Sequence, residues 1–350
     1  MTTLDALLRS TLADPLAASR AATAPVAHVG FDLPLDLVLC GARHFSHLPW
    51  STERPTPAAD RWLETAFAGW ARSMLQDWAD GAFDHFDSVV FTRGDDSSQR
   101  LYYYLCELQR RGFIAGPEPL ILDVAQIPRE SSIAHNRQAL VRLLEQLDIA
   151  PQALTAGRLR ANLQRELFAR LDSERCGPGH RYEHIARASL FTDLGPTLQQ
   201  AKFTDSVAAP CVLLTGSSPP DDRFHRAIEA VGWNVGGDSY PRSLRRHGAP
   251  IATDCDALSA VACHLNQSCF GPRAFVDRTA ALLGDIGRTH AKAVVLWLAE
   301  EDESLAWSVA QQRQALAHCG IPALVLTRQR WNGSDGAAEA MQDFLREQTR

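Results

Sequence analysis

A chain of 350 residues, 45% hydrophobic and 22% charged, is long enough for two compact lobes that each bury a core. Its net charge of -6, spread without long single-sign runs, lacks the electrostatic footprint of a nucleic-acid or anionic-membrane binder. No apolar run reaches the roughly 20 residues that span a bilayer, and Asp5 and Asp14 interrupt a stretch that a signal peptide would keep apolar, so a cytoplasmic protein is expected.

Residues 2–21 carry Leu4, Leu7, Leu8, Leu12 and Leu16 at helical spacing, which predicts an amphipathic helix packed on the first lobe. Strand-like runs then follow at 35–40, 88–92 and 119–124, with a tryptophan-rich helix over 62–78. Such alternation implies parallel strands joined by helical crossovers, and bounds a first α/β lobe at 24–145 after an N-terminal helix over 1–23. Residues 146–208 show no strand pattern, and a helical stretch over 157–174 is broken by Gly177, Pro178 and Gly179. This segment reads as a helical connector. The second lobe, 209–350, has strand-like runs at 211–215, 233–235, 293–298 and 323–327, with helices over 221–231 and 253–290 and another at the end. The fold class predicted is α/β, with two doubly wound, Rossmann-like parallel-sheet lobes.

The eight cysteines contain no C-x-x-C pair and fall mostly in apolar segments, as expected of reduced, buried thiols. Two sets have spacings open to metal binding: Cys176, His180 and His184, and Cys255, Cys263 and Cys269. A Gly-Pro-Gly break disrupts the first, and the second lies on a helix whose apolar face accommodates small thiols, so core or surface roles read better.

Ligands in doubly wound sheets bind beyond the carboxyl ends of strands, which directs attention to polar post-strand loops. After 88–92 come Arg93, Gly94, Asp95, Asp96, Ser97, Ser98, Gln99 and Arg100. Asp96 and Ser97 suit helix caps as well as a site, whereas a cap does not require Arg93 or Asp95. After 211–215 come Gly216 and Ser217, which permit close backbone approach or anion binding but also an ordinary turn. The run from Glu300 and Glu301 to Asp302 and Glu303 suits a solvated helix start, a general acid or base, or a hard cation. His44 and His47, expected just after the first strand, are candidates for proton transfer. No dinucleotide fingerprint, P-loop or nucleophile elbow occurs, so those enzyme classes are not indicated.

Several of these segments, in order, resemble the subunits of the 2-hydroxyacyl-CoA dehydratase and benzoyl-CoA reductase family. Residues 86–91 followed by Asp95, Asp96 and Ser97 resemble the family's strand and Cys-Asp-Ser turn. Leu122, Asp123 and Val124 resemble its Leu-Asp-x-Pro strand end. Residues 212–217 resemble the strand that opens its second lobe, Ile228 to Gly232 its first helix there, residues 268–273 its Cys-Pro segment, and 320–324 its last strand. The resemblance implies two Rossmann-like lobes around a cleft that binds an acyl-CoA thioester. It further implies pairing with a homologous subunit and a four-iron cluster held by three cysteines and fed with electrons by an ATP-dependent activator.

The sequence departs from the family at the cluster positions. Asp95 stands where the Cys-Asp-Ser cysteine belongs, Glu300 near the late cysteine and Asp60 near the earliest. No cysteine occurs over 41–105 or 270–318. Carboxylates are poor ligands for an iron-sulfur cluster. The expectation is therefore an acyl-CoA or related thioester binder without its own cluster, acting as a non-redox lyase-like enzyme or as the cluster-free half of a hetero- or homodimer. Asp95, Asp96, Glu300, Glu301 and His44 are the catalytic candidates, and Gly216, Ser217, Arg93, Ser97 and Arg100 the ligand-binding ones. A structural or regulatory subunit and a carboxylate-metal enzyme remain as alternatives, with no cofactor assigned.

Overall fold

The computed structural model describes residues 3–203, 208–269, 271 and 273–349. In chain order the elements are α1 (Thr3–Ala13), α2 (Ala17–Ala21), β1 (Val26–Val29), α3 (Leu35–Val38), β2 (Phe45–His47), α4 (Pro57–Trp62), α5 (Gly69–Ala79) and β3 (Ser88–Thr92). There follow α6 (Asp96–Arg110), β4 (Glu118–Leu122), α7 (Glu130–Gln146), α8 (Ala153–Ser173), α9 (Gly179–Ala188) and α10 (Gly195–Gln200). The remainder comprises β5 (Cys211–Gly216), α11 (Arg223–Glu229), β6 (Asn234–Ser239), α12 (Ala257–Asn266), α13 (Arg278–Thr289), β7 (Ala293–Ala299), α14 (Glu303–Ala306), α15 (Val309–His318), β8 (Ala323–Gln329) and α16 (Ala337–Glu347). Two four-stranded, all-parallel sheets result, ordered β2-β1-β3-β4 and β6-β5-β7-β8, in an α/β fold with two parallel-sheet lobes.

Two compact units interleave along the sequence. Unit 1 comprises residues 1–167, 188–199 and 246–275, and unit 2 comprises 168–187, 200–245 and 276–350. In unit 1, alternate strand residues feed opposite faces of the sheet. Val26, Val90, Leu120 and Leu122 pack with Leu140, Leu143 and Leu144 of α7 and Val261 of α12. Ala27, Val29, Val89 and Phe91 pack with Met74, Leu75 and Trp78 of α5 and Leu101 and Leu105 of α6. In unit 2, Val212, Leu214, Val295 and Trp297 meet Phe224 and Ile228 of α11 and Met341 and Leu345 of α16. Leu213 and Val294 face Leu282 of α13 and Leu316 of α15. Burial on both faces explains why the central strands β3 and β7 read as continuous apolar runs.

Residues 35–40, expected as the first strand, instead form the single helical turn α3. Leu35 and Leu39, four apart, pack on Ala161 of α8. The helix backbones approach so closely that a Cβ on Gly157 would lie 1.9 Å from the Asp36 carbonyl oxygen. A short apolar run does not distinguish strand from buried helix by periodicity, and the true first strand, β1, is disguised by His28 at its centre. The tryptophan-rich helix over 62–78 is two helices, α4 and α5, with Leu63 to Ala68 between them. Residues 146–208 contain no strand among those described, and α8 to α10 divide between the two units. α12 follows β6 in sequence yet packs beside α7, where Asn136 donates a 3.4 Å hydrogen bond to the Ala262 carbonyl.

Candidate functional site

In unit 1 the strand order reverses between β1 and β3: β2 lies on the outer side of one and β4 on the outer side of the other. The crevice beyond the carboxyl ends at such a reversal is the binding position of open parallel sheets. Gly30, Phe31 and Asp32 leave β1 there, and Thr92, Arg93, Gly94 and Asp95 leave β3. Gly30 has φ +101°, and a Cβ on it would lie 1.9 Å from Thr92 Oγ1. A side chain is therefore excluded both by conformation and by contact. Gly94 has the contact reason alone: its Cβ would stand 2.7 Å from each heavy atom of the Asp32 carboxyl group. Two missing side chains thus seat the Asp32 carboxyl between the two strand ends.

Asp95 caps α6, accepting from the Ser98 amide at 2.8 Å and the Ser98 hydroxyl at 2.7 Å. The Ser97 hydroxyl accepts from the Ala68 amide at 3.4 Å. Asp96 is exposed and pairs with Arg273, whose guanidinium also donates to the Arg93 carbonyl and to Gln99 Oε1 at 3.2 and 3.0 Å. The family-like segment containing Arg273 therefore lies against this loop, although Phe270 and Pro272 within it fall outside the described residues. Arg93 and Arg100 diverge. Arg93 pairs with Asp123 at 2.9 Å, and Arg100 pairs with Glu64 at 2.6 Å while stacking 4.3 Å over the Phe67 ring.

Burial pushes the Asp32 carboxyl up to about 6 and the negative charge of Asp95 adds to this, against the opposing influence of Thr92 and Arg273. The Thr92 hydroxyl is close enough to favour ionised Asp32, but its own hydrogen bond runs to the Val29 carbonyl at 3.3 Å. Both Asp32 oxygens are shielded from solvent and accept no well-formed hydrogen bond among the described residues, although the Thr92 hydroxyl and the Asp32 backbone amide are near enough to favour the ionised form. Burial also raises the Asp95 carboxyl, outweighing the two bonds from Ser98. A desolvated carboxyl that also feels a second acidic group does not ionise cheaply, which is how a carboxyl becomes a proton donor or acceptor near neutral pH. His28, on β1 with Nδ1 3.3 Å from the Gly30 carbonyl, is pushed down to about 4 by burial, with Arg246 contributing. It stays neutral where Asp32 titrates.

The two histidines expected in a post-strand loop are not in one. His47 ends β2, and its ring stacks on Phe31 with centroids 5.4 Å apart and meets His28 edge-on at 4.9 Å. His44 precedes β2, its carbonyl accepting from the Val26 amide at 2.8 Å. His44 therefore lies at the amino end of the parallel sheet, opposite the carboxyl ends where Asp32 and Asp95 lie; it does not follow a strand because residues 35–38 are a helical turn. Asp32 and His28 escape sequence reasoning for the same cause. The available signal is the polar Gly30-Phe31-Asp32 exit, which parallels Gly216-Ser217-Ser218 in unit 2.

In unit 2 the corresponding reversal lies between β5 and β7. Gly216 has φ +108°, and its Cβ would lie 2.2 Å from the Trp297 carbonyl oxygen. The Ser217 amide donates to that carbonyl and the Ser217 hydroxyl accepts from the Ala299 amide, both at 2.9 Å. Ser217 thereby clips β5 to β7. α11 begins several residues later, with the Arg223 amide bonded to Asp221 at 3.0 Å. A carboxylate therefore occupies that helix start, where an anion was expected. Glu300 is exposed with its amide bonded to the Gln329 carbonyl, and Glu301 and Asp302 lead into α14.

The iron-sulfur cluster implied by the resemblance does not fit these residues. Cys40 is buried beyond α3, Cys106 lies within α6, and Cys269 is exposed with its thiol directed at the Gln267 carbonyl. Among the described residues no three His, Cys, Asp or Glu side chains form a metal-holding group. No described helix is long and apolar enough to cross a membrane. No protein-family model and no curated protein matches the chain.

Proposed function

We propose that the chain binds an acyl-CoA-type thioester and performs non-redox proton transfer on its acyl group, with Asp32 as the proton-carrying residue. The observation that carries this reading is the Asp32 carboxyl: shielded, without a well-formed hydrogen bond among the described residues, pushed up to about 6 and located at the strand reversal of unit 1. A carboxyl tuned toward the operating pH is suited to taking a proton from, or returning it to, the carbon beside a thioester carbonyl. The thioester part of the reading rests on the order of family-like segments and on Arg93 and Arg100 at either side of the loop, available to phosphates. Their present partners are surface carboxylates, and exposed ion pairs of about 0–1 kcal/mol exchange readily for a polyanion.

Thermal-shift titration with a series of acyl-CoA esters, combined with NMR detection of deuterium entering the carbon next to the carbonyl, tests this function. Native protein should be stabilised by at least one ester, since a ligand that binds only the folded state raises its stability. Asp32→Asn should retain binding but lose deuterium exchange, and Arg93→Ala with Arg100→Ala should weaken binding. No melting shift with any ester at millimolar concentration removes the proposal, and exchange that survives in Asp32→Asn removes the role of that residue.

A further inference from the structure

β8 is an edge of the sheet in unit 2, paired with β7 on one side. None of its residues is buried, although the run from Ile321 to Leu326 is apolar throughout. Folded proteins protect an edge with proline, charge, shortness or cover. The other three edges have such protection: β4 carries Glu118 and Pro119, β2 is a short strand of buried residues, and β6 is mostly buried. β8 has neither proline nor charge before Arg328, whose φ of +58° turns the backbone out of the extended form.

In a parallel ladder, alternate residues bond to one neighbour and the residues between them face the other way. The Pro322 carbonyl accepts from the Val294 amide of β7 at 2.9 Å. Leu324 and Leu326 therefore also turn their backbone groups to β7, whereas Ala323, Val325 and Thr327 turn theirs outward. The Thr327 carbonyl accepts from the Gln329 side-chain amide at 3.1 Å, as an outward group can. Val325 is partly buried on one face of the sheet with Val309, against Leu305. Leu324 and Leu326 are partly buried on the other, in the cluster that also leaves Trp331 and Phe344 partly covered. Trp307, between Leu305 and Val309 in sequence, is 89% exposed.

We propose that β8 is a homodimerisation edge, pairing antiparallel with β8 of a second copy about a two-fold axis at Val325. In a two-fold contact, residue i meets j and j meets i. With Val325 opposite its own copy, Ala323 meets Thr327 and Thr327 meets Ala323. Every outward amide and carbonyl of these three residues then finds a partner, the incoming amide replacing Gln329 at Thr327. A slip of one residue sets outward groups against residues already bonded to β7, and a slip of two leaves an outward residue unpaired on each chain. On the face toward α16, the same register places Leu324 opposite Leu326 of the copy, and such apolar cross-strand pairs stabilise a sheet. The edge satisfies its own hydrogen-bonding pattern and presents no charge over residues 321–327 that would select a different chain. Pairing joins two four-stranded sheets into one and is independent of any ligand.

Light scattering and sedimentation of the full chain test this, and a dimer that dissociates on dilution is expected. Val325→Pro and Thr327→Pro each remove an outward amide and leave the bonds to β7 in place, the setting in which an edge strand tolerates proline. Each should weaken association roughly ten- to hundredfold, the effect of losing about two net hydrogen bonds per dimer, with the circular dichroism spectrum unchanged. Residue-resolved hydrogen–deuterium exchange reads the register. On dilution, the Ala323, Val325 and Thr327 amides should lose protection, while those of Leu324 and Leu326, bonded to β7 in either state, keep theirs. This comparison uses the native chain, so it serves if proline prevents folding. A monomer at every concentration up to about 0.1 mM, a folded proline variant that associates as strongly as the native chain, or protection that does not alternate along β8 overturns the proposal.

Discussion

Asp32 and Gly94 fit together so closely that a methyl group on Gly94 would stand 2.7 Å from every heavy atom of the Asp32 carboxyl. The two residues belong to different strand exits, so this contact joins the loop after β1 to the loop after β3. Gly94 has no left-handed backbone requirement, and a substitution there acts by contact alone.

Gly94→Ala should therefore destabilise the protein by about 1–3 kcal/mol, the usual cost of overpacking, measured by urea unfolding. Adding Asp32→Ala should recover much of that loss, because the methyl then meets no carboxyl. Strictly additive costs in this double-mutant cycle would mean that the strain lies elsewhere.

The pH dependence of stability carries the signature of Asp32. Its folded-state value is raised from 3.8 to about 6, so the folded protein binds this proton more tightly than the unfolded chain. Asp32 consequently favours folding at low pH, and that contribution declines as the pH rises from about 4 through about 6, then levels off. The change amounts to roughly 2–3 kcal/mol, since each tenfold difference in proton affinity is worth about 1.4 kcal/mol. In Asp32→Asn the slope over this interval should flatten by that amount, and an unchanged slope would show that Asp32 does not titrate in that interval.

Arg165 and Asp36, 1% and 0% exposed, form a two-point ion pair at 2.5 and 3.2 Å, with Arg165 Nε also donating to the His247 carbonyl. Removing one partner leaves a buried charge uncompensated. Arg165→Met should cost about 3–5 kcal/mol, whereas Arg165→Met with Asp36→Leu should cost less than the single change. Chemical denaturation of the three chains decides the order, and a double variant weaker than the single one would contradict it.

Gly216 and Gly232 both have positive φ, +108° and +81°, but only Gly216 has a blocked Cβ position, with a backbone carbonyl 2.2 Å away. Gly232→Ala should cost about 1–2 kcal/mol for left-handed backbone alone. Gly216→Ala adds a clash with Trp297 that no side-chain rotation relieves, and should cost about 3 kcal/mol or more. Equal melting temperatures for the two variants would contradict this contrast.

The strands at 88–92, 211–216 and 293–299 are legible in the sequence because each is a short β-rich run bounded by turn residues and buried on both faces. A cap at the start of α6 is legible, but its residue is not: Asp96 and Ser97 are the expected caps, whereas Asp95 is the one whose carboxylate accepts from the Ser98 amide. β1 and β2 are not legible. His28 and His47 interrupt their apolar pattern, and the neighbouring run 35–40 imitates a strand until α8 packs against it as a helix.

Local sequence is enough for the α/β class, for the alternation that yields two parallel sheets and for the polar loop after β3, because strand and helix periodicities repeat over a few residues. The identity of the carboxyl poised for proton transfer arises only once the chain has packed. Asp32 owes its raised value to burial between Gly30 and Gly94, to the charge of Asp95 some sixty residues on, and to the limited opposition of Thr92 and distant Arg273. Desolvation depends on what packs around a group in space, and no local spacing encodes it.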